Sequence, residues 1–261
     1  MHMKADNPNF DLRLAKTPAD LRAAQRLRYE VFIAELGGDG PMVDHDNRLE
    51  RDAFDAYFDH LLLIDKRQPT GSDRAVVGVY RLLRSDMAAQ AGGFYSDHEY
   101  DLDKLKHSGA RLLELGRSCV RKDYRGSAAM YHLWNGLGAY VCQHQIDILF
   151  GVASFHGTDL APIAEPLAYL HHNHLARESL RVRVKEADFH SMDLMAADQI
   201  DARRALRQMP TLIKAYLRLG GCVGEGVYID HSFNTADVLV MMEADKVSDK
   251  QRSLYTKGRR G

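Results

Sequence analysis

The stretch Leu112-Leu113-Glu114-Leu115-Gly116-Arg117-Ser118-Cys119-Val120 sets a carboxylate inside an otherwise apolar strand. Burial would raise the pKa of such a group toward working pH and make Glu114 a candidate general base; the competing reading is a structural ion pair with neighbouring strands. A spacing of three puts Glu114 and Arg117 on opposite faces of a regular strand, and Gly116 between them is where a bulge would bring both to one side. In Val77-Gly78-Val79-Tyr80-Arg81-Leu82-Leu83, the period of two sets Arg81 on the face of Val77, Val79 and Leu83. There it needs a carboxylate or an anionic ligand, unless the strand ends at Tyr80 and Arg81 reaches solvent. Arg28 and Phe32 lie one helical turn apart, and the expectation for Arg28 from spacing alone is a solvated head with its stem on the core edge. The acidic run Glu50-Arg51-Asp52-Ala53-Phe54-Asp55, followed by Asp59-His60, reads alone as a solvated face. It also offers the carboxylates that Arg28, Arg81 and Arg117 would need if they face inward, or a place for a substrate ammonium.

Other constellations are weaker. His171 and His174 in His171-His172-Asn173-His174 are a helical turn apart, but neither an HExxH pattern nor a cysteine partner accompanies them, and no metal is expected. Asp230, His231 and Ser232 are sequence neighbours whose side chains diverge, and no GxSxG elbow occurs. Cys119, Cys142 and Cys222 lie far apart without a CxxC pair, which suggests a reducing compartment and no disulfide framework. The opening MHMKADNPNF lacks the apolar run of a secretory signal. With 35 Lys+Arg against 36 Asp+Glu in 261 residues, the chain lacks the basic excess of a nucleic-acid binder. Gly126 to Ile146 carries no Asp, Glu, Lys or Arg, yet holds His132, Asn135, Gln143, His144 and Gln145, so a buried soluble helix is expected rather than a membrane span.

These residues must be held by a scaffold whose pattern is readable. Phe10 to Leu14 is a strand; Thr17 caps a helix with Pro18 in its first turn, and Leu21, Ala24, Leu27, Val31 and Ala34 carry its apolar face to Gly37-Gly38. Asp39 to Asp59 is a long excursion. Strands follow at Leu61–Asp65, Ala75–Leu83 and Leu112–Val120, then a helix from Ser127 to Gln145 and a strand from Asp147 to Ala153. Beyond lie a helix (Ile163–Ala176), a charged segment able to pair as a strand (Arg181–Lys185), a helix from about Ile200 to Leu219, and a strand at Val238–Met242. The order predicts a mixed α/β sheet without the regular alternation of a barrel or doubly wound fold. No linker divides the chain, so a single domain over 1–261 is expected: a core at about 10–155, an extension at about 156–243 completing the sheet, and a frayed tail from 244.

Arg28-x-x-x-Phe32, Glu50-x-Asp52-x-x-Asp55, Arg81 and Glu114-x-x-Arg117 form an ordered set that resembles the signature of acyl-homoserine lactone synthases. Longer segments resemble the bacterial ornithine lipid N-acyltransferases: Phe54-Asp55 through Asp59-His60-Leu61-Leu62, Leu113 through Val120, Tyr169 through His174, Met209 through Gly220, and Asp230 through Val238. Together they run from about residue 20 to 242. Two departures are informative. Leu36-Gly37 is followed by Gly38-Asp39, without the tryptophan usual in the lactone synthases. Arg125-Gly126-Ser127-Ala128-Ala129-Met130 lacks the glycine and final small residue of the loop that cradles coenzyme A pyrophosphate.

The resemblance implies a GNAT-like fold: a mixed, mostly antiparallel central sheet flanked by helices, with an extended helical C-terminal part. It implies transfer of a 3-hydroxy fatty acyl group from acyl carrier protein to the α-amino group of L-ornithine, giving lyso-ornithine lipid, with no further cofactor. In that chemistry Glu114 would take the ammonium proton, directly or through water, and backbone N–H groups at a bulge near Gly116 would hold the oxyanion. Catalysis would rest on Glu114 and Arg117, and substrate binding on Arg28, Phe32, Glu50, Asp52, Asp55, Asp59, His60, Arg81 and Ser118. Arg81 and Arg117 would orient the amino-acid carboxylate or pair with Asp52 and Asp55. Cys119 is expected in the core, and Arg121, Lys122 and Arg125 are the expected docking points for the acidic carrier. The alternatives are the same reaction on glutamine or another amino acid, lactone synthesis, or a non-enzymatic module that binds acyl carrier or a membrane surface through the basic amphipathic stretch Ile200–Leu219. The expected location is cytoplasmic, with peripheral contact at the inner face of the membrane as its variant.

Overall fold

The computed structural model describes residues 2–3, 9–69, 71–126 and 128–246. The expected tail beyond 246 and the Ser127 helix start lie outside them. In chain order the strands are β1 His2–Met3, β2 Phe10–Leu14, β3 Asp59–Asp65, β4 Val76–Arg84, β5 Tyr100–Asp101, β6 Leu112–Val120, β7 Ile148–His156, β8 Arg183–Val184, β9 Cys222–Val223, β10 Tyr228–Asp230 and β11 Thr235–Glu243. The α-helices are α1 Pro18–Arg28, α2 Ser85–Ala91, α3 Asp103–Lys106, α4 Ala129–His144, α5 Ala164–His174, α6 Ala202–Gln208 and α7 Thr211–Arg218. The described residues form two compact units, one within 9–92 and 115–145 together with 2–3, the other within 93–114 and 146–246.

The first unit carries β1-β2-β3-β4 and the Leu115–Val120 part of β6, in that order. Its antiparallel register pairs Leu62 with Val79 and His60 with Arg81, so each pair points to one face. On that face Leu62, Val79 and Cys119 meet Ala23, Ala24, Leu27 and Val31 of α1. Thr17 and Asp20 close a reciprocal capping box at the start of α1. The other face receives α4 at close range. A β-carbon on Gly136 would lie 2.8 Å from Leu12 and 3.0 Å from Leu61, and one on Gly78 would lie 2.9 Å from Leu133. Glycine at both positions is what lets helix and sheet approach. The charge-free stretch is therefore a packed helix, and no helix among the described residues is long and apolar enough to cross a membrane.

In the second unit, β7 pairs in parallel with β6 at Leu112–Glu114 and antiparallel with β11 along its length. Strand β10 closes a hairpin onto β11, turning through Asn234 at φ 52°. The expected single helix from Ile200 to Leu219 is broken: α6 ends at Gln208 and α7 begins at Thr211. Pro210 cannot donate to the ladder and holds Met209 extended at φ −68°, ψ 136°. Short elements between residues 85 and 111, including the 3-10 turn Tyr95–His98, carry no strong period and fall outside the pattern reading.

Candidate active site

The acidic excursion of the first unit folds back over the sheet and meets the arginines. Arg28 is fully buried, against its expected solvated position. Its Nη1 and Nη2 donate to the two Asp55 oxygens at 2.6 and 2.8 Å, Nη2 also donates to the Glu50 carbonyl at 2.6 Å, and Nε lies 2.5 Å from the Glu50 carboxylate. Arg81 is likewise fully buried because β4 runs on to Arg84 instead of ending at Tyr80. Its Nη1 donates to Asp52 at 2.6 Å and Asp55 at 3.0 Å, and its guanidinium lies 4.3 Å from the centre of the Phe58 ring. Arg117 donates through Nε to Glu50 at 3.1 Å and stands 3.9 Å from Asp52. Three guanidinium groups thus meet three carboxylates in one buried, self-neutralising network. Arg28 and Arg81 hold the Asp55 carboxyl well below the usual carboxylate range against the opposing effect of burial. Glu50 is also lowered, by Arg117 and Arg28, again against its desolvation.

Two backbone irregularities shape this network. The helix expected to run to Gly37 changes at Tyr29–Glu35 into a π-helix, in which Leu36 N–H reaches back to Val31. Such widened turns recur at functional sites. Here the turn carries Phe32, whose ring centre lies 5.9 Å from the Arg117 guanidinium. In β6, Arg117 has φ 48°, a left-handed conformation uncommon for a residue with a β-carbon. A β-carbon on Gly116 would point at Arg81, 3.8 Å from its Nε, while Arg117 itself reaches Glu50. Two consecutive residues face one side, as at a bulge, and the positive φ falls on Arg117, one residue past the expected Gly116.

Glu114 belongs to the second unit and is buried. Its oxygens accept from the backbone N–H groups of Tyr95 at 2.7 Å and Ser96 at 2.8 Å, and from the Ser96 hydroxyl. The partners are N-terminal donors of the 3-10 turn Tyr95–His98, so Glu114 is held inside the fold rather than facing solvent.

The remaining predicted residues divide. His60 is buried beside the network; its Nε2 donates to the Asp55 carbonyl at 3.0 Å, and burial, helped by Arg28, pushes its pKa down to about 4. Asp59 instead accepts from Arg84 and Tyr140, both at 2.6 Å, tying the end of the β3–β4 pair to α4. The half-buried Ser118 hydroxyl has no partner among the described residues. Cys119 sits in the core, where burial pushes its thiol up to about 12, against any thiolate role. The docking trio separates. Arg121 is buried, donating to Asp123 at 3.0 Å and to the Arg74 carbonyl, so it offers no surface. Arg125 is exposed but held by both Glu35 oxygens at 2.6 and 2.8 Å, and Lys122 is exposed. His172 lies 3.0 Å from Asp193 and His171 3.9 Å, on the exposed side of α5. Gln25, which donates to Asp55 at 2.9 Å, and Phe58 complete the network without having been predicted. Gln25 lies three residues before Arg28 on the same helical face, a signal available in the spacing.

Residues 27–135 match the acetyltransferase (GNAT) domain family. The chain is 57% identical over 255 residues to the L-ornithine N(alpha)-acyltransferase of Rhodobacter capsulatus, covering 98% of each. It is 42% identical over 249 residues to the protein of that name from Brucella abortus, covering 95% of this chain and 89% of the relative. Among solved structures, FeeM, an N-acyl amino acid synthase from uncultured soil microbes, superposes with a TM-score of 0.55 at 12% identity, over 94% of this chain and 98% of the other. The acyl-homoserine lactone synthase LasI gives 0.51 at 16% identity, with 95% of each covered. The domain match, with these two likenesses in fold, gives a GNAT-like fold.

Proposed function

The chain belongs to the L-ornithine N(alpha)-acyltransferase family, and from that premise we propose that it transfers a 3-hydroxy fatty acyl group from acyl carrier protein to the α-amino group of L-ornithine. The observation that carries this reading is near-full-length identity of 57% to a relative of that name. The α-ammonium loses a proton, its nitrogen attacks the thioester carbonyl, the carbon–sulfur bond breaks, and an amide and a protonated carrier thiol result. Nitrogen attacks the thioester itself, which agrees with a Cys119 thiol too buried and too weakly acidic to form an acyl-enzyme.

In this reading the arginine–carboxylate network is the rigid floor of the acceptor site. Arg28 and Arg81 are consumed in holding Asp55 and Asp52, and Arg117, the most exposed of the three guanidinium groups, is the one we assign to the acceptor carboxylate. Backbone N–H groups of the bulge at Gly116 and Arg117 are the proposed oxyanion donors. Glu114 is the proposed proton acceptor. Because three donors of the Tyr95–His98 turn occupy both of its oxygens, we assign it proton removal through water rather than by direct contact. Purified protein, 3-hydroxyacyl carrier protein and an equimolar mixture of ornithine, glutamine and lysine test the reading. Acyl-ornithine is the expected dominant product; acyl-glutamine in excess would move the assignment to another acceptor, and no product from intact protein would remove it.

A further inference from the structure

Helices α6 and α7 of the second unit repeat one pattern, a basic residue, two others, then Leu-Arg: Arg203-x-x-Leu206-Arg207 and Lys214-x-x-Leu217-Arg218. Spacings of three and four set each trio on one helical face, with the leucine between the bases. The orientation of α6 is fixed from beneath. Asp201 caps it by accepting from Arg203 N–H at 2.9 Å and Arg204 N–H at 3.2 Å. Arg204 donates through Nη2 to Glu165 of α5 at 2.8 Å, and the same carboxylate accepts the Asp201 N–H at 2.9 Å. With Ala205 and Met209 buried, Arg203, Leu206 and Arg207 face solvent, and Leu206 keeps 37% of its surface exposed. In α7, Ile213 and Tyr216 are buried, Lys214 and Leu217 half-buried, and Arg218 exposed. From Ala202 to Gly224 the chain has five basic residues and no Asp or Glu, within a total charge of −1.

A solvated charged face requires no leucine among its arginines, and a core-facing helix would bury it. We propose that the α6–α7 surface docks on an anionic phospholipid bilayer, with Leu206 and Leu217 entering the interface and Arg203, Arg207, Lys214 and Arg218 on the headgroup phosphates. Charge complementarity over an uninterrupted basic stretch selects this occupant. Its purpose, release of a fatty-acyl product into the bilayer, rests on the acyl-transfer reading; the docking itself does not.

The test is flotation of the full chain with vesicles of phosphatidylglycerol and phosphatidylcholine, or of phosphatidylcholine alone, across a salt series. Binding is expected only to the anionic vesicles and should weaken as salt rises. The double variant Arg203→Ala, Arg207→Ala should bind roughly 25-fold more weakly, at roughly 5-fold per basic residue, while Arg203→Lys, Arg207→Lys retains binding. Circular dichroism and the carrier-dependent acyl-transfer rate in vesicle-free buffer should match the parent for both. No binding of the parent to anionic vesicles overturns the proposal. So does equal binding by the alanine variant, or a rise in its KM for carrier protein, which would assign the surface to the carrier. The vesicle arm uses no substrate, so its failure and the failure of the acyl-transfer reading are separately visible.

Discussion

The same residue type does opposite work in the two units. In the first, Arg28 and Arg81 are fully buried and spend their donors on Glu50, Asp52 and Asp55. In the second, Arg203 and Arg207 stand in water on a helix that another arginine, Arg204, clamps to Glu165. Buried, a guanidinium is a geometric fastener whose value lies in its partners, since removing one partner strands a charge in low dielectric. Exposed, it is an interchangeable charge whose worth depends on what approaches and on salt.

Breaking the fasteners should give the largest effect. Arg28→Ala leaves Asp55 without its main counter-charge and Glu50 without one of two, and should cost about 3–5 kcal/mol in urea unfolding. Glu114→Gln sets an NH2 group against the Tyr95 or Ser96 donors and should cost about 1–3 kcal/mol in the same unfolding assay, while lowering kcat/KM of the folded enzyme by about 100-fold; the loss of stability with kcat/KM unmoved would make Glu114 only an anchor of the Tyr95–His98 turn. His60 gives a pH signature of the buried region. Its folded pKa, about 4, lies below its unfolded value, so on acidification the unfolded chain takes up the proton first and stability falls. Between about pH 7 and pH 5 the loss should be about 2 kcal/mol, and His60→Gln should remove it. Asp55, held low by arginine, contributes its own loss only at more acid pH. Smallest of all, Arg203→Ala should change stability by no more than about 0.5 kcal/mol. A cost like that of Arg28→Ala would erase the contrast between the units.

Much of this contrast was legible in the chain. An arginine in the apolar alternation of Val77–Leu83 called for a carboxylate or an anionic ligand if the strand ran past Tyr80; β4 does run on to Arg84, and the acidic excursion supplies Asp52 and Asp55. The burial of Arg28 was not legible, because its spacing on α1 fits a snorkelling surface residue equally well and only the fold-back of the 39–59 segment seals it. A bulge was expected at Gly116, where glycine tolerates it; tertiary pairing of Arg117 with Glu50 moved the positive φ one residue on. The π-turn carrying Phe32 leaves no trace in a 3.6-residue pattern, since its residues remain as helical as their neighbours. The break at Pro210 was readable in principle, but the amphipathic period running across it outweighed a single residue. The partners of Glu114 are backbone amides of a short turn, and backbone donors have no sequence signature.

Acyl transfer to the α-nitrogen of ornithine can be read directly by mass spectrometry of lipids from cells that make no ornithine lipid and express this chain. The predicted result is a new 3-hydroxyacyl-ornithine species whose fragmentation places the amide on the α-nitrogen, sharply reduced when the cells carry Glu114→Gln. A new amide on a different amino acid, on the δ-nitrogen, or no acylated amino acid despite soluble folded protein, would contradict it.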